Sequence, residues 1–374
     1  MSDNNEKVFF TLVRAGLWED EVRLSEFEPI DFNEVYRIAS EQVVVGLVVA
    51  GLEYVPDVEV PQEILLTMIG DTMQLEQKNR DMNGFISKLY DMLQKEGVNS
   101  LLMKGQGTAQ CYERPLWRAS GDVDLLLSGS NYEKAKSLLL SLAAEVEPEH
   151  RDLMHLGLWL ENGFLLELHG TLRSRLTLKM DHLLDSIQKE AIENDSHRVW
   201  DDNGKQIWLL NPNDDVFYIF SHILHHFFIE GVGLRQVCDW CRLLWTYRDT
   251  FDKGMLEMRL RQAGIITEWK AFAALAVDTL GMPVDAIPLY SPEKRWSKKA
   301  NRILSFMMET GNFGHNRDMS YYTSCSYVVR KAISLWRHLK DSMKQFVIFP
   351  MDTIRIGWRN FKYSISWALY GRDL

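Results

Sequence analysis

Seven residues, Gly121-Asp122-Val123-Asp124-Leu125-Leu126-Leu127, restrict the fold more than any other stretch of this chain. Two carboxylates one residue apart open an apolar run. In a β-strand successive side chains alternate faces, so Asp122 and Asp124 point one way while Val123 and Leu125 point into a core. Like charges at that spacing repel and lose hydration on burial, so the pair calls for a compensating cation. Two acids on one strand face, with a glycine before them and a buried strand behind, hold a divalent cation well.

Helical patterns lie on both sides of this stretch. Residues 7–97 carry apolar side chains at three- and four-residue spacings, as in Val8-Phe9-Phe10-Thr11-Leu12-Val13 and Ile64-Leu65-Leu66-Thr67-Met68-Ile69. Pro56 and Pro61 mark a loop, and Asp81 to Glu96 reads as a further amphipathic helix ending near Gly97. The pattern then changes to α/β. Ser100-Leu101-Leu102-Met103 is a short buried strand, 106–112 a short helix, 122–127 the second strand and 132–144 an amphipathic helix. Met154–Leu160 and Phe164–His169 flank Asn162-Gly163, and a second strand pair flanks Asn203-Gly204; Asn-Gly is a strong hairpin signal. Asn211-Pro212-Asn213-Asp214-Asp215 is a helix start, with a cap, Pro at the first position and acids at the positive dipole end. The chain therefore divides into a helical region over 1–97, an α/β core over 98–210 and a second helical region over 211–374.

Composition narrows the class. Hydrophobic residues at 46% and charged residues at 25% describe a globular protein rather than a disordered one. The longest apolar run, Val43 to Leu52, falls far short of the roughly 20 residues a membrane span needs. The polar, acidic start Met1-Ser2-Asp3-Asn4-Asn5-Glu6 is unlike a secretory signal, and four cysteines give no disulfide framework, so the expected location is cytoplasmic. The net charge of −10 is uneven: residues 293–374 carry 15 Lys and Arg against 6 Asp and Glu, the preceding residues 27 against 46. An acidic body argues against general nucleic-acid binding, while the basic, aromatic tail at 344–374 leaves peripheral membrane contact open beside simple packing on the body.

A second acidic strand completes a constellation. In Phe164-Leu165-Leu166-Glu167-Leu168-His169, Glu167 and His169 share one face. A third carboxylate after Asp-x-Asp is what a two-metal phosphoryl-transfer centre needs, because ions roughly 3.5–4 Å apart share oxygen ligands. In the Lys104-Gly105-Gln106-Gly107 junction small residues let backbone N–H groups approach phosphate oxygens, and Lys104 adds charge. The plainer alternative is three strand-end carboxylates paired with Lys or Arg.

Met103-Lys104-Gly105, Arg118-Ala119-Ser120-Gly121-Asp122-Val123-Asp124-Leu125-Leu126 and Leu166-Glu167-Leu168-His169 together resemble the bacterial nucleotidyltransferase-like family of the polymerase-beta-type superfamily. The resemblance implies a mixed α/β (α+β) sheet core flanked by N-terminal and C-terminal helical regions. It implies Mg²⁺ (or Mn²⁺) held by Asp122, Asp124 and Glu167, with Glu167 the candidate base. It also implies a nucleoside triphosphate such as ATP, contacted by Lys104, Gly105, Arg118, Gly121 and His169, and NMP transfer to an unnamed hydroxyl or phosphate acceptor. The chain departs from well-studied superfamily members in having Lys104-Gly105 where they carry Gly-Ser, with Thr108 the nearest hydroxyl. A catalytically inactive nucleotide-binding or scaffold protein, linked to surface polysaccharide synthesis, is the alternative.

Two further motifs read as structural. Cys238-Asp239-Trp240-Cys241 lies in a helical run without partner ligands, which suits buried cysteines better than zinc or redox chemistry. His222 and His226 are one turn apart and lack the Glu of His-Glu-x-x-His; with Arg235 and Asp239, an expected i,i+4 pair, they form a polar network or a face closing over substrate.

Overall fold

The sheet organises everything else. In the computed structural model, which describes residues 2–150, 154–194, 196–314 and 326–359, seven strands form one mixed sheet in the order β3-β4-β5-β2-β1-β7-β6. The strands are β1 (Ser100–Met103), β2 (Asp122–Leu127), β3 (Ala143–Val146), β4 (His155–Leu160), β5 (Leu165–His169), β6 (His197–Asp202) and β7 (Lys205–Leu210). Both Asn-Gly segments close hairpins, β4 with β5 and β6 with β7. At the centre β2 runs antiparallel to β1 and parallel to β5.

Helices precede the sheet as α1 (Ser2–Trp18), α2 (Phe32–Glu41), α3 (Val45–Leu52) and α4 (Gln62–Lys95). Asp31 caps α2 by accepting from the Asn33 and Glu34 N–H groups. α4 is one helix of 34 residues where the sequence pattern suggests separate ones, because no proline interrupts it and Gly70 and Gly84 alone do not break the ladder. α1 crosses α3 at a close approach: a Cβ on Gly51 would collide with the Leu12 carbonyl oxygen, and one on Gly16 with that of Leu47. The short α5 (Gly105–Ala109) and α6 (Gly129–Leu139) lie within the α/β part, and α7 (Leu178–Glu193) and the edge strand β3 are elements the sequence reading did not separate.

One sheet face, with Leu102, Val123, Leu125, Leu166, Leu168 and Leu209, packs under α6 and the second half of α4, through Met82, Ile86, Leu89 and Leu93. Burial of each such side chain contributes about 1.5–3 kcal/mol. The other face, with Leu101, Met103, Leu126 and Leu210, joins a larger core shared by α1–α3 and the helices after the sheet. Those are α8 (Pro212–Ile229), α9 (Leu234–Tyr247), α10 (Lys253–Ala263), α11 (Ile266–Asp278), α12 (Lys294–Thr310) and α13 (Tyr327–Ile348). Asn211 caps α8 as its sequence predicts, its side chain accepting from the Asp214 N–H.

Among the described side chains of α13, Gln345 donates to the Phe227 carbonyl at 2.7 Å and Ile348 is buried, while Leu335, Trp336, Leu339, Met343, Phe346 and Val347 are exposed. Phe361, Tyr363, Trp367 and Tyr370, part of the basic aromatic tail, lie outside the described residues. Among the described residues no helix is long and apolar enough to cross a membrane.

Candidate functional site

Strand alternation sets Asp122, Asp124, Glu167 and His169 on the sheet face opposite Val123, Leu125, Leu166 and Leu168. Asp124 and Glu167 are direct neighbours in the parallel β2–β5 register, and Asp124 also faces Met103, the residue before Lys104. The carboxylate oxygens of Asp122, Asp124 and Glu167 come within 4.8 Å of one another. Asp124 is only 1% exposed, and its Oδ1 is held twice: Lys104 Nζ lies 2.8 Å away and His169 Nε2 donates at 2.8 Å. Glu167 Oε2 meets the Nε2 atoms of His155 and His169, each at 3.3 Å.

This density of charge moves proton affinities. Burial and the neighbouring Asp124 raise Asp122 above its ordinary value. Burial would raise Glu167 too, but the adjacent imidazoles of His155 and His169 and the Lys104 charge outweigh it and hold the carboxyl well below the usual carboxylate range. Burial alone would lower Lys104, yet Asp124, Tyr218, Glu167 and Asp122 together raise it. His169 is likewise raised, with Asp124 and Glu167 overcoming burial. Lys104 has φ +52° and ψ −144°, a conformation in which an L side chain is strained by about 1–3 kcal/mol. Gly105 follows at φ +41°.

Two spaces open on this centre. A cleft of about 540 Å³ runs between β4–β5 and α8; Lys104, Asp122, Glu167 and His169 lie at one side, and Tyr218, His222, His225, His226 and Glu230 form the α8 wall. His226 bonds His222 through their Nε2 atoms at 2.9 Å and Glu230 through Nδ1 at 2.9 Å. Burial and the Lys104 charge keep His222 neutral, well below the ordinary histidine range. Behind the acids lies a chamber of about 50 Å³, lined by Lys104, Gly105, Arg118, Asp122, Asp124 and residues of α8 and α9. Three buried polar atoms of that lining have no hydrogen-bond partner: Thr108 Oγ1, Arg235 Nε and Gln236 Nε2.

A family model described as uncharacterised nucleotidyltransferase matches residues 28–281. The chain belongs to this nucleotidyltransferase family. Its match covers the whole sheet and runs through α11. No curated protein matches the chain. A crystal structure of an antigenic nucleotidyltransferase-like protein from Paracoccidioides brasiliensis is similar at 14% identity, covering 54% of this chain and 93% of that one, with a TM-score of 0.32.

Lys104, Gly105, Asp122, Asp124, Glu167 and His169 gather around one centre. Arg118 reaches the chamber, but its guanidinium bonds Asp239 at 2.6 and 3.0 Å and Ser120 at 3.1 Å. Gly121 is an exposed residue just before β2, with nothing within 4 Å of where its Cβ would be. Arg235 and Asp239 do not form the expected helical pair: Asp239 takes Arg118 and the Tyr112 hydroxyl, and Arg235 donates to the Ala119 carbonyl at 2.9 Å. Cys238 and Cys241 are buried free thiols, raised by desolvation. His155 escaped sequence reading; its signal is the hairpin register, which places it opposite His169.

Proposed function

We propose that this family member transfers a nucleotidyl group from a nucleoside triphosphate to a hydroxyl or phosphate acceptor at the Asp122–Asp124–Glu167 centre. The observation that carries this reading is the convergence of three carboxylates within 4.8 Å on one sheet face, beside the Lys104-Gly105 turn and open to the large cleft. Three hard oxygen donors fit Mg²⁺ or Mn²⁺. A divalent cation held by Asp122, Asp124 and Glu167 would supply positive charge against the triphosphate.

The chain's own groups supply the rest. Lys104 offers an ammonium to the phosphates, and the unpaired Thr108 Oγ1, Arg235 Nε and Gln236 Nε2 lie buried around the adjoining small chamber. The acceptor oxygen bonds to the α-phosphorus, a hydroxyl acceptor giving its proton to solvent in the open cleft, the α–β bridging P–O bond breaks, and pyrophosphate leaves. With its low proton affinity, Glu167 is better suited to holding a cation than to taking the acceptor's proton. The second reading, a nucleotide-binding protein without turnover, is favoured by one contact: Lys104 already pairs with Asp124.

Labelled triphosphates with Mg²⁺ or Mn²⁺, offered to the wild type and to an Asp122→Asn/Asp124→Asn variant, separate these readings. Transfer is expected to give metal-dependent binding and pyrophosphate in the wild type alone. Binding without turnover would favour the second reading, and release of a diphosphate nucleoside would indicate a phosphotransferase. No metal-dependent binding above the variant would remove both readings.

A further inference from the structure

We propose that His155, Glu167 and His169 form a second cation site, built for a borderline transition ion such as Zn²⁺ and distinct in chemistry from the three-carboxylate centre. The β4–β5 register sets His155 directly opposite His169, and their rings lie 4.7 Å apart between centroids. The ligand atoms of all three residues lie within 4.8 Å of one another. Both imidazole Nε2 atoms stand 3.3 Å from one oxygen, Glu167 Oε2.

That spacing discriminates. A hydrogen bond between imidazolium and carboxylate closes to about 2.7–2.9 Å, as His169 does on Asp124 at 2.8 Å. Around a tetrahedral zinc ion with Zn–N and Zn–O bonds of about 2.0–2.1 Å, neighbouring ligand atoms stand about 3.3 Å apart. Both contacts to Glu167 thus have the edge length of a zinc polyhedron. Two imidazoles and one carboxylate would make three protein ligands, and all three residues line the cleft, from which solvent or substrate would supply a fourth.

Donor chemistry separates the two centres as well. Imidazole nitrogen selects zinc and its neighbours, whereas carboxylate oxygens alone suit Mg²⁺ and Mn²⁺. Glu167 belongs to both groups, its Oε2 turned to the imidazoles, so one carboxylate joins them. To ligate, His169 must give up the Nε2 proton it donates to Asp124, so zinc binding releases a proton and frees Asp124 Oδ1 from one of its two partners.

Cobalt(II) replacing zinc in chelator-treated, full-length protein provides the test. One equivalent should give the intense visible bands of four-coordinate cobalt, displaced by Zn²⁺ and not by excess Mg²⁺. His155→Gln should weaken cobalt binding by more than the roughly 10–100-fold that loss of an outer-shell partner costs, and His155→Cys should restore the bands at shifted wavelength. Asp122→Asn should keep them, which separates failure of this site from failure of the triphosphate reading. A weak six-coordinate spectrum, or bands that survive in a folded His155→Gln protein, would overturn the proposal. Zinc-edge X-ray absorption of the wild type, expected to show two imidazoles, keeps the test decisive if the variant does not fold; fewer than two would equally overturn it.

Discussion

At the scale of single residues, the buried Arg118–Asp239 pair has the largest expected effect. Both side chains are buried, two hydrogen bonds join them, and Tyr112 adds a third to Asp239 at 2.9 Å. Asp239→Ala leaves a buried guanidinium without its counter-charge and should cost about 3–5 kcal/mol in urea unfolding. Adding Arg118→Met should recover most of that loss; no recovery would show that the pair is not what holds the region. His222 gives a pH signature. Its folded proton affinity lies well below the ordinary value, so the unfolded chain takes up the proton first as acid is added. Its contribution is complete above the unfolded pKa of about 6.5 and declines below it by about 1.4 kcal/mol per pH unit. His169 acts in the opposite sense: raised in the fold, its contribution is present below its unfolded value and is lost as pH rises through the folded one. His222→Gln should therefore flatten the fall in urea midpoint between pH 7 and 5, and an unchanged fall would refute this assignment. Asp122, Asp124, Glu167, His169 and Lys104 are legible in the sequence because strand alternation and one turn bring them together. The partner of Arg118 is not, since Asp239 is 121 positions away and joins it only through tertiary packing.

At the scale of elements, two glycines in helices predict opposite outcomes for the same change. Gly84 lies exposed inside α4 with nothing within 4 Å, so Gly84→Ala should stabilise the protein by about 0.5–1 kcal/mol through helix propensity alone. Gly51→Ala drives a methyl group into the Leu12 carbonyl oxygen, a backbone atom that cannot turn aside, and should cost about 1–3 kcal/mol. Thermal melts of the two variants check the sign of each; a stabilised Gly51→Ala protein would contradict the close α1–α3 approach. Strand β2 and both hairpins follow from local signals, alternation and Asn-Gly. Strand β3 does not: Ala143-Ala144-Glu145-Val146 is a short, largely exposed edge, and only its pairing with β4 makes it a strand. The continuity of α4 also escaped local reading, because the packing of Met68, Met82 and Ile86 on separate parts of the core decides it.

At the scale of the whole molecule, α13 carries its apolar residues on the outside. Leu335 (72% exposed), Trp336 (64%), Leu339, Met343 and Phe346 recur at helical spacing, with Arg337, Lys340 and Lys344 along one flank. Met351, Ile354 and Trp358 extend the exposed row. An apolar stripe beside basic residues matches a helix lying in an anionic lipid surface, and the surplus of positive charge in this part of the chain agrees. Flotation with anionic vesicles should capture the wild type more than neutral vesicles do. Trp336→Glu with Met343→Glu should weaken capture by roughly tenfold or more, about 1.4 kcal/mol, and equal flotation would refute the contact. The shared core described earlier has a different consequence. Val8, Leu12, Leu101, Leu126, Phe217, Phe272 and Ile356 belong to one continuous cluster, so helices from both ends of the chain roof the acid-bearing sheet face. Cutting the chain at 97 and 210 would strip that roof and wet the leucines beside the acids. The α/β core is thus not an interchangeable cassette. A recombinant that swaps it between relatives must carry the matching helices with it.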